Sequence, residues 1–211
     1  MTKRIGIVGG SFDPIHMGHL LIAEFARETL QLDKVVFVPA AHSPLKSDTP
    51  AADDKQRVEM LQLAINANPA FEVDRRELER EGKSYTVTTL QDFKHDHPGA
   101  ELCFVMGGDS LSTFDQWREP DRICQLAFVA VLQRGGWENV DRKLLLPHLP
   151  VEDQADVEAH FIQAPQIEIS STEIRKRIAE RRSVRYQLPA AVAAYIDAQG
   201  LYVDPDAKAT S

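Results

Sequence analysis

A short stretch near the start of the chain combines groups that can bind and activate phosphates. Residues 9–19 contain two adjacent glycines and two histidines three positions apart, His16 and His19. Adjacent glycines let a ligand come close to the backbone, and imidazole rings can donate hydrogen bonds to phosphate oxygens. The His-x-x-His spacing also suits two neighbouring zinc ligands, although zinc would need further ligands. The stretch therefore predicts phosphate chemistry, with a zinc site as the alternative.

The neighbouring segments place this stretch at the mouth of an α/β sheet. The apolar run at residues 5–8 predicts a buried strand, and the spacing of apolar residues over 20–26 predicts a helix. The stretch then forms the loop between them, directly before a helix N-terminus that favours anions.

A second candidate lies near the other end of the chain. Ser170 and Glu173 have capping-box spacing at the start of a predicted helix, and Arg175 follows within two turns. Taken alone, these residues are explained by a helix cap and a solvated charge. The alternative interpretation is a phosphate site at a helix N-terminus.

The rest of the chain alternates between apolar strands and amphipathic helices. This order predicts a Rossmann-like doubly wound α/β fold, with a mainly parallel sheet and helices on both faces. Strands are predicted at residues 5–8, 34–39, 71–74, 102–106, 126–132, 159–163 and 167–169. A helix is predicted over residues 117–125, and Ser84 is the predicted cap of a helix that runs towards residue 95. Ligands of such sheets collect at the carboxyl ends of strands, where Gly107 and Asp109 are expected. Neither GxGxxG nor GxxxxGK[ST] is present, which counts against a standard dinucleotide oxidoreductase and a P-loop NTPase.

Length and composition narrow the class of protein. The chain has 211 residues and a formal net charge of −8, so we expect one domain over residues 1–203, a disordered polar tail at 204–211 and no nucleic-acid partner. No apolar run is long enough to cross a bilayer and no secretory segment opens the chain, so we expect a cytoplasmic protein without a membrane partner. Cys103 and Cys124 lack CxxC spacing and are predicted to be buried thiols.

The two candidate stretches resemble known signatures. GGSFDPIHMGH at residues 9–19 is similar to the GGxFDPxHxGH motif of the nucleotidylyltransferase superfamily, and ISSTEIR at residues 169–175 is similar to its ISSTxxR motif. The order of SYT at residues 84–86, GGDS at 107–110 and then Trp117 resembles the bacterial nicotinate-nucleotide adenylyltransferases. The resemblance extends over nearly the whole folded chain.

The resemblance implies transfer of AMP from ATP to nicotinate mononucleotide, with Mg²⁺ bridging phosphate oxygens and no covalent enzyme intermediate. The residues implied in catalysis are His16, His19 and Arg175. The implied ATP site comprises Gly9, Gly10, Ser11, Phe12, His16, Gly18, His19, Gly107, Asp109, Ser170, Ser171, Thr172 and Arg175. The implied nicotinate-nucleotide site comprises Ser11, Lys46, Tyr85, Thr86, Asp109 and Trp117. No protein side chain is implied as a metal ligand, and the sequence predicts no oligomeric state.

Within the second site, Tyr85 and Thr86 are implied to meet the nicotinate carboxylate, and Trp117 to stack on the pyridine ring. Without the resemblance, a helix cap and a core tryptophan explain these residues equally well.

Two loops depart from the family pattern. The usual Pro-Pro-His-Lys run is Ser-Pro-Leu-Lys at residues 43–46, and the usual Arg-Pro-Gly is Arg-Gly-Gly at residues 134–136. The open alternatives are the same reaction on nicotinamide mononucleotide or on phosphopantetheine, and a non-catalytic nucleotide-binding protein of the same fold.

Overall fold

In the computed structural model, which describes residues 2–41, 50–133, 140–165 and 167–203, six parallel strands form one sheet. The strands are β1 (Arg4–Gly10), β2 (Lys34–Pro39), β3 (Phe71–Val73), β4 (Glu101–Gly107), β5 (Phe128–Gln133) and β6 (Phe161–Gln163). Their spatial order is β3-β2-β1-β4-β5-β6. The predicted doubly wound parallel fold is therefore confirmed.

Helices cover both faces of the sheet and enclose two cores. The helices are α1 (Met17–Thr29), α2 (Asp54–Ile65), α3 (Arg76–Glu79), α4 (Thr86–Asp96), α5 (Gly108–Leu111), α6 (Pro120–Leu126), α7 (Ser171–Ala179) and α8 (Ala190–Gln199). Alternate residues of β2 point to opposite faces, so Val35 and Phe37 join one core while Val36 and Val38 join the other. The first core contains residues of α1, α2, α7 and α8, and the second contains residues of α4 and α6.

The strand order reverses between β1 and β4, which are direct neighbours. The crevice outside their carboxyl ends is the topological switch point where such sheets bind ligands. Helices α1 and α7 are the next α-helices after β1 and β6, so each begins towards the carboxyl edge of the sheet, and α4 follows β3 after the short helix α3. The predicted site segments are therefore gathered at one edge of the sheet.

Several local predictions were wrong; one is the strand predicted at residues 159–163, because β6 begins at Phe161. Residues 167–169 form no strand, although Ile169 does pack against the first core. The helix predicted from residue 117 begins at Pro120, because Glu119 has a left-handed φ of 54° and the proline occupies the first helical turn. The strand predicted at residues 126–132 is β5, which begins two residues later, after helix α6 has ended.

Both cysteines are buried and free, as predicted. Burial raises the pKa of Cys103 to about 12 and that of Cys124 to about 12. Both thiols therefore stay protonated at neutral pH and are poor nucleophiles.

Of the helices in the described ranges, none combines the length and apolar character that a bilayer crossing requires.

A buried carboxyl group secures the start of α4. Glu77 of α3 is 8% exposed, and its Oε1 accepts a hydrogen bond from Thr89 Oγ1 at 2.6 Å. We expected Ser84 to cap α4. Its hydroxyl instead donates to the backbone oxygen of Glu77 at 3.4 Å, and it does not cap the helix. Burial raises the pKa of Glu77, against the opposing effect of the Thr89 hydrogen bond.

We predict that Glu77→Gln stabilises the protein at pH 7–8 and has little effect near pH 4. A raised pKa in the folded state means that protonation of Glu77 favours folding, so this contribution is present below the unfolded pKa of 4.5 and is lost as pH rises. Glutamine keeps an oxygen for Thr89 but cannot ionise. Melting temperatures across this pH range test the prediction, with exposed Glu81→Gln as the control. Equal destabilisation by Glu77→Gln at both ends of the range would contradict it.

Candidate active site

The first loop folds around a buried aromatic ring. Phe12 is 1% exposed and has a left-handed φ of 47°. Its ring makes edge contacts with His19 and Phe37, at centroid distances of 5.1 Å and 5.7 Å. A Cβ at Gly10 would lie 3.1 Å from Phe12 Cζ, so glycine lets the loop backbone lie close to the ring. Phe12 therefore has a structural position beneath the loop.

His16 and His19 form a reciprocal capping box at the start of α1. The Nδ1 of each ring accepts a hydrogen bond from the other residue's backbone amide, at 3.3 Å and 3.4 Å, and the rings stack with centroids 3.7 Å apart. An Nδ1 that accepts a hydrogen bond is unprotonated, so the proton of each neutral ring is on Nε2. Each Nε2–H is thus a donor of the kind that phosphate oxygens accept.

Two glycines keep this region open. A Cβ at Gly18 would lie 3.0 Å from His16 Nδ1, so a side chain there would press on the ring that caps α1. Gly9 lies one residue before the end of β1. Apart from its chain neighbours, none of the described heavy atoms lies within 4 Å of a Cβ added there. Among the described residues, none fills the space beside Gly9, which suits the approach of a ligand.

Asp13 joins the first loop to two distant parts of the chain. Its side chain is buried and accepts hydrogen bonds from the amides of Ala51 and Ala52 at 2.8 Å and 3.1 Å. The hydroxyl of Tyr202 donates to Asp13 Oδ1 at 2.7 Å. The carboxylate therefore ties the loop to the entrance of α2 and to the segment after α8.

The second motif lies directly against the first. Arg175 Nη1 donates to the backbone oxygen of Asp13 at 2.6 Å and is 3.7 Å from the Asp13 carboxylate. Ser171 Oγ donates to the backbone oxygen of Pro14 at 2.9 Å. Ser170 caps α7, since its Oγ accepts an amide hydrogen bond from the first turn at 3.2 Å. The N-terminus of α7 and the first loop thus form one continuous site.

A buried arginine of α2 contacts the first loop through its guanidinium group. Arg57 is fully buried; its Nη1 donates to the backbone oxygen of Ser11 at 2.7 Å and its Nη2 to Asp54 Oδ1 at 2.6 Å.

The sequence alone did not indicate Asp13, Arg57 or Tyr202 as site residues. Asp13 was within reach, because it lies inside the first motif. Arg57 and Tyr202 carry no local signal, since their partners in the loop are far away in sequence.

The predicted acceptor-binding residues form a second group. Tyr85 precedes the first turn of α4, which begins at Thr86, and the guanidinium of Arg118 lies over the Tyr85 ring at 4.8 Å. Next to Arg118, the ring of Trp117 packs against Phe104 and Phe114, with centroids 6.0 Å and 5.5 Å away. The structure therefore brings Tyr85 and the Trp117 segment together at the edge of the second core.

The remaining predicted residues divide by location. Gly107 ends β4, and Asp109 is exposed in the first turn of α5. Lys46 and the two departing loops, at residues 43–46 and 134–136, lie outside the described residues. Among the described residues, no group of three or more His, Cys, Asp or Glu side chains is arranged to hold a metal ion, so the zinc alternative for His16 and His19 gains no support there.

Comparison with known proteins shows the family of this chain. The family model described as cytidylyltransferase-like matches residues 7–177. A Thermus thermophilus protein named "Probable nicotinate-nucleotide adenylyltransferase" is 44% identical over 199 residues, covering 94% of this chain and 99% of that protein. The chain belongs to the cytidylyltransferase-like family, among the nicotinate-nucleotide adenylyltransferases. A Rhodopirellula baltica relative with the same name is 42% identical over 198 residues, covering 94% of this chain and 92% of the relative.

Solved structures support the fold of this adenylyltransferase-family chain. The structure of Plasmodium falciparum nicotinic acid mononucleotide adenylyltransferase complexed with NaAD is similar, with a TM-score of 0.74 and 21% identity, covering 95% of this chain and 97% of that one. The same enzyme complexed with APC gives a TM-score of 0.72, with the same identity and coverage.

We predict that Gly9→Ala weakens ATP binding by about tenfold and leaves the free energy of unfolding within about 0.5 kcal/mol of the parent value. The added methyl group would enter the open space beside β1, where no described side chain would be displaced. Calorimetric titration with ATP and Mg²⁺ measures the affinity, and urea unfolding measures the stability.

Gly99→Ala is the matched control, because a Cβ at this exposed glycine would also meet none of the described atoms within 4 Å, yet Gly99 precedes the opposite end of β4. The two variants should therefore differ in ATP affinity and not in stability. Equal ATP affinities would show that the space beside Gly9 is not part of the nucleotide site.

Proposed function

We propose that this chain transfers the adenylyl group of ATP to nicotinate mononucleotide, forming nicotinate adenine dinucleotide and pyrophosphate in the synthesis of NAD. The observation that carries the proposal is the direct contact between the two motif segments, in which Arg175 and Ser171 donate to backbone oxygens of Asp13 and Pro14. The relatives named above, at 42% and 44% identity over nearly the full chain, support the same reaction.

In this reaction, a phosphate oxygen of the mononucleotide forms a bond to the α-phosphorus of ATP. The bond between the α-phosphorus and the bridging oxygen breaks, and pyrophosphate leaves with the bonding electron pair. Catalysis of such a displacement depends on alignment and on neutralisation of charge. No nucleophilic side chain is needed.

The first loop and α7 supply groups suited to this task. The Nε2–H donors of His16 and His19 would meet phosphate oxygens, and Arg175 would hold the β- and γ-phosphates with the amides at the start of α7. Both helix N-termini add positive potential where the leaving pyrophosphate gains charge. The proposed ATP site is thus built from hydrogen-bond donors on two helices.

We also propose that Mg²⁺ participates, held mainly by ATP phosphate oxygens. A hard cation with oxygen ligands is suited to bridge the phosphates and reduce their charge. The chain's own contribution would be the donors of His16, His19 and Arg175 on the remaining phosphate oxygens.

The second group would bind the acceptor. The amides at the start of α4, next to Tyr85 and Thr86, are donors and suit the nicotinate carboxylate, while the Trp117 ring would contact the pyridine. A carboxamide in place of the carboxylate would lose charge-assisted hydrogen bonds, at a cost of about 2–3 kcal/mol. The acid form of the nucleotide is therefore the proposed substrate.

Release of pyrophosphate tests the proposal. The purified protein is incubated with ATP and Mg²⁺, and nicotinate mononucleotide, nicotinamide mononucleotide and phosphopantetheine are compared as acceptors. We expect release mainly with the nicotinate form, and its loss when Mg²⁺ is chelated. Failure with all three acceptors would exclude the enzymatic function, and faster turnover of the nicotinamide form would exclude the proposed specificity.

We predict that His19→Ala lowers kcat by about 100-fold or more, because it removes a donor to phosphate oxygens whose charge grows in the transition state. The variant also loses the Nδ1 that accepts from the His16 amide, so about 1 kcal/mol of stability and 2–4 °C in Tm should be lost. Steady-state kinetics and thermal melting measure the two effects.

His95→Ala is the control for this prediction, since His95 is exposed on α4. It should change neither kcat nor Tm appreciably. A His19→Ala protein with near-normal kcat and a large loss of Tm would show that His19 serves the fold alone.

A further inference from the structure

One side chain of the segment after α8 is hydrogen-bonded to the first loop. Tyr202 lies three residues beyond the end of α8, and its hydroxyl donates to Asp13 Oδ1 at 2.7 Å. We propose that Tyr202 is a positioning residue for the adenylyl transfer: its hydroxyl occupies the Asp13 carboxylate and so keeps Arg175 available to the phosphates of ATP. This inference rests on the proposed function.

The Asp13 carboxylate has enough donors without a direct bond from Arg175. The amides of Ala51 and Ala52 and the hydroxyl of Tyr202 together supply three hydrogen bonds. A carboxylate can accept about four. Arg175 Nη1 is 3.7 Å from Oδ2, beyond hydrogen-bond range, and donates to the Asp13 backbone oxygen instead. The arrangement holds the guanidinium beside the carboxylate without a bidentate pair.

Loss of the Tyr202 hydroxyl would change this balance. Asp13 Oδ1 would keep the hydrogen bond from the Ala52 amide but lose the one from Tyr202, and a lost hydrogen bond to a buried charge is costly. Arg175 is already close, and a paired geometry with a carboxylate is the strongest that its guanidinium can form. The arginine would then turn towards Asp13. Because 32% of the Arg175 side chain is now exposed, such a turn would withdraw it from an incoming phosphate.

The backbone and the environment of Tyr202 fit a fixed donor. Tyr202 has a left-handed φ of 63°, and Gly200, two residues before it, has a φ of 60°. A bulky residue in this region is strained and is retained where the surroundings impose it. The ring packs against the first core, and burial with the Asp13 contact raises the pKa of Tyr202, so the hydroxyl keeps its proton.

A second tyrosine provides a matched control. Tyr195 of α8 also donates its hydroxyl to a carboxylate, that of Glu59 on α2. Tyr195 and Tyr202 therefore make the same kind of bond from the same end of the chain. Of the two bonds, the one from Tyr202 reaches the first loop, so replacement of each tyrosine by phenylalanine separates the effect on the site from the effect on packing.

The test compares Tyr202→Phe with Tyr195→Phe in steady-state kinetics and thermal melting. We expect Tyr202→Phe to raise KM for ATP about tenfold, the change expected from one lost charge-assisted contact, and to leave KM for nicotinate mononucleotide within about twofold. Tyr195→Phe should leave both KM values unchanged. A Tyr202→Phe protein with normal KM for ATP, or with a lowered Tm as its sole change, would overturn the inference.

An Asp13→Asn background tests whether the effect passes through Asp13. Coupled residues show non-additive effects, so Tyr202→Phe should have little further effect on ATP affinity once the carboxylate is gone. If the full tenfold change persists in this background, Tyr202 does not act through Asp13 and the inference is wrong.

A binding measurement separates this inference from the proposed function. Titration with ATP and Mg²⁺, without any acceptor, reports ATP affinity whether or not turnover occurs. If the parent protein releases no pyrophosphate with any acceptor, the proposed function fails. If the parent protein releases pyrophosphate but Tyr202→Phe binds ATP as tightly as the parent, this inference alone fails.

Discussion

A single buried carboxylate connects the parts of the chain that form the candidate site. Asp13 receives hydrogen bonds from the entrance of α2 and from Tyr202, while its backbone oxygen receives one from Arg175 on α7. Burying a charge without partners is very costly, so these contacts must form together for the loop to keep this shape. The geometry of the loop consequently depends on segments more than a hundred residues away.

The parallel sheet explains why the site lies where it does. Each helix that follows a parallel strand starts near the carboxyl edge, which concentrates helix N-termini there. Helices α1 and α7 direct their amides towards the region around the first loop, and α4 begins next to Tyr85. At Gly9 in β1, an added Cβ would meet none of the described atoms within 4 Å outside its chain neighbours. An anion-binding edge is thus a direct product of the topology.

The spacing of apolar residues predicted most of the fold, because strands and helices each have a characteristic short-range periodicity. The predictions failed where long-range contacts decide the outcome. Ser84 was expected to cap α4, but its hydroxyl bonds to Glu77. Residues 167–169 have the apolar spacing of a strand, yet the segment forms no strand and its Ile169 packs on the first core.

The same distinction applies to the site. The two motifs and their glycines could be identified from sequence, and the structure places both motifs in contact. Arg57 and Tyr202 could not be identified, because a buried arginine on α2 and a tyrosine after α8 acquire their significance from partners in the first loop. Their roles become visible when the chain is folded.

The position of Tyr202 also affects how this protein can be divided. The family model ends at residue 177, before α8 begins. A fragment cut at that boundary would keep both signatures but would lose Val192 and Ile196 from the first core, together with the hydroxyl that bonds to Asp13. The segment beyond the recognisable motifs is therefore part of the smallest unit that can preserve the geometry of the site.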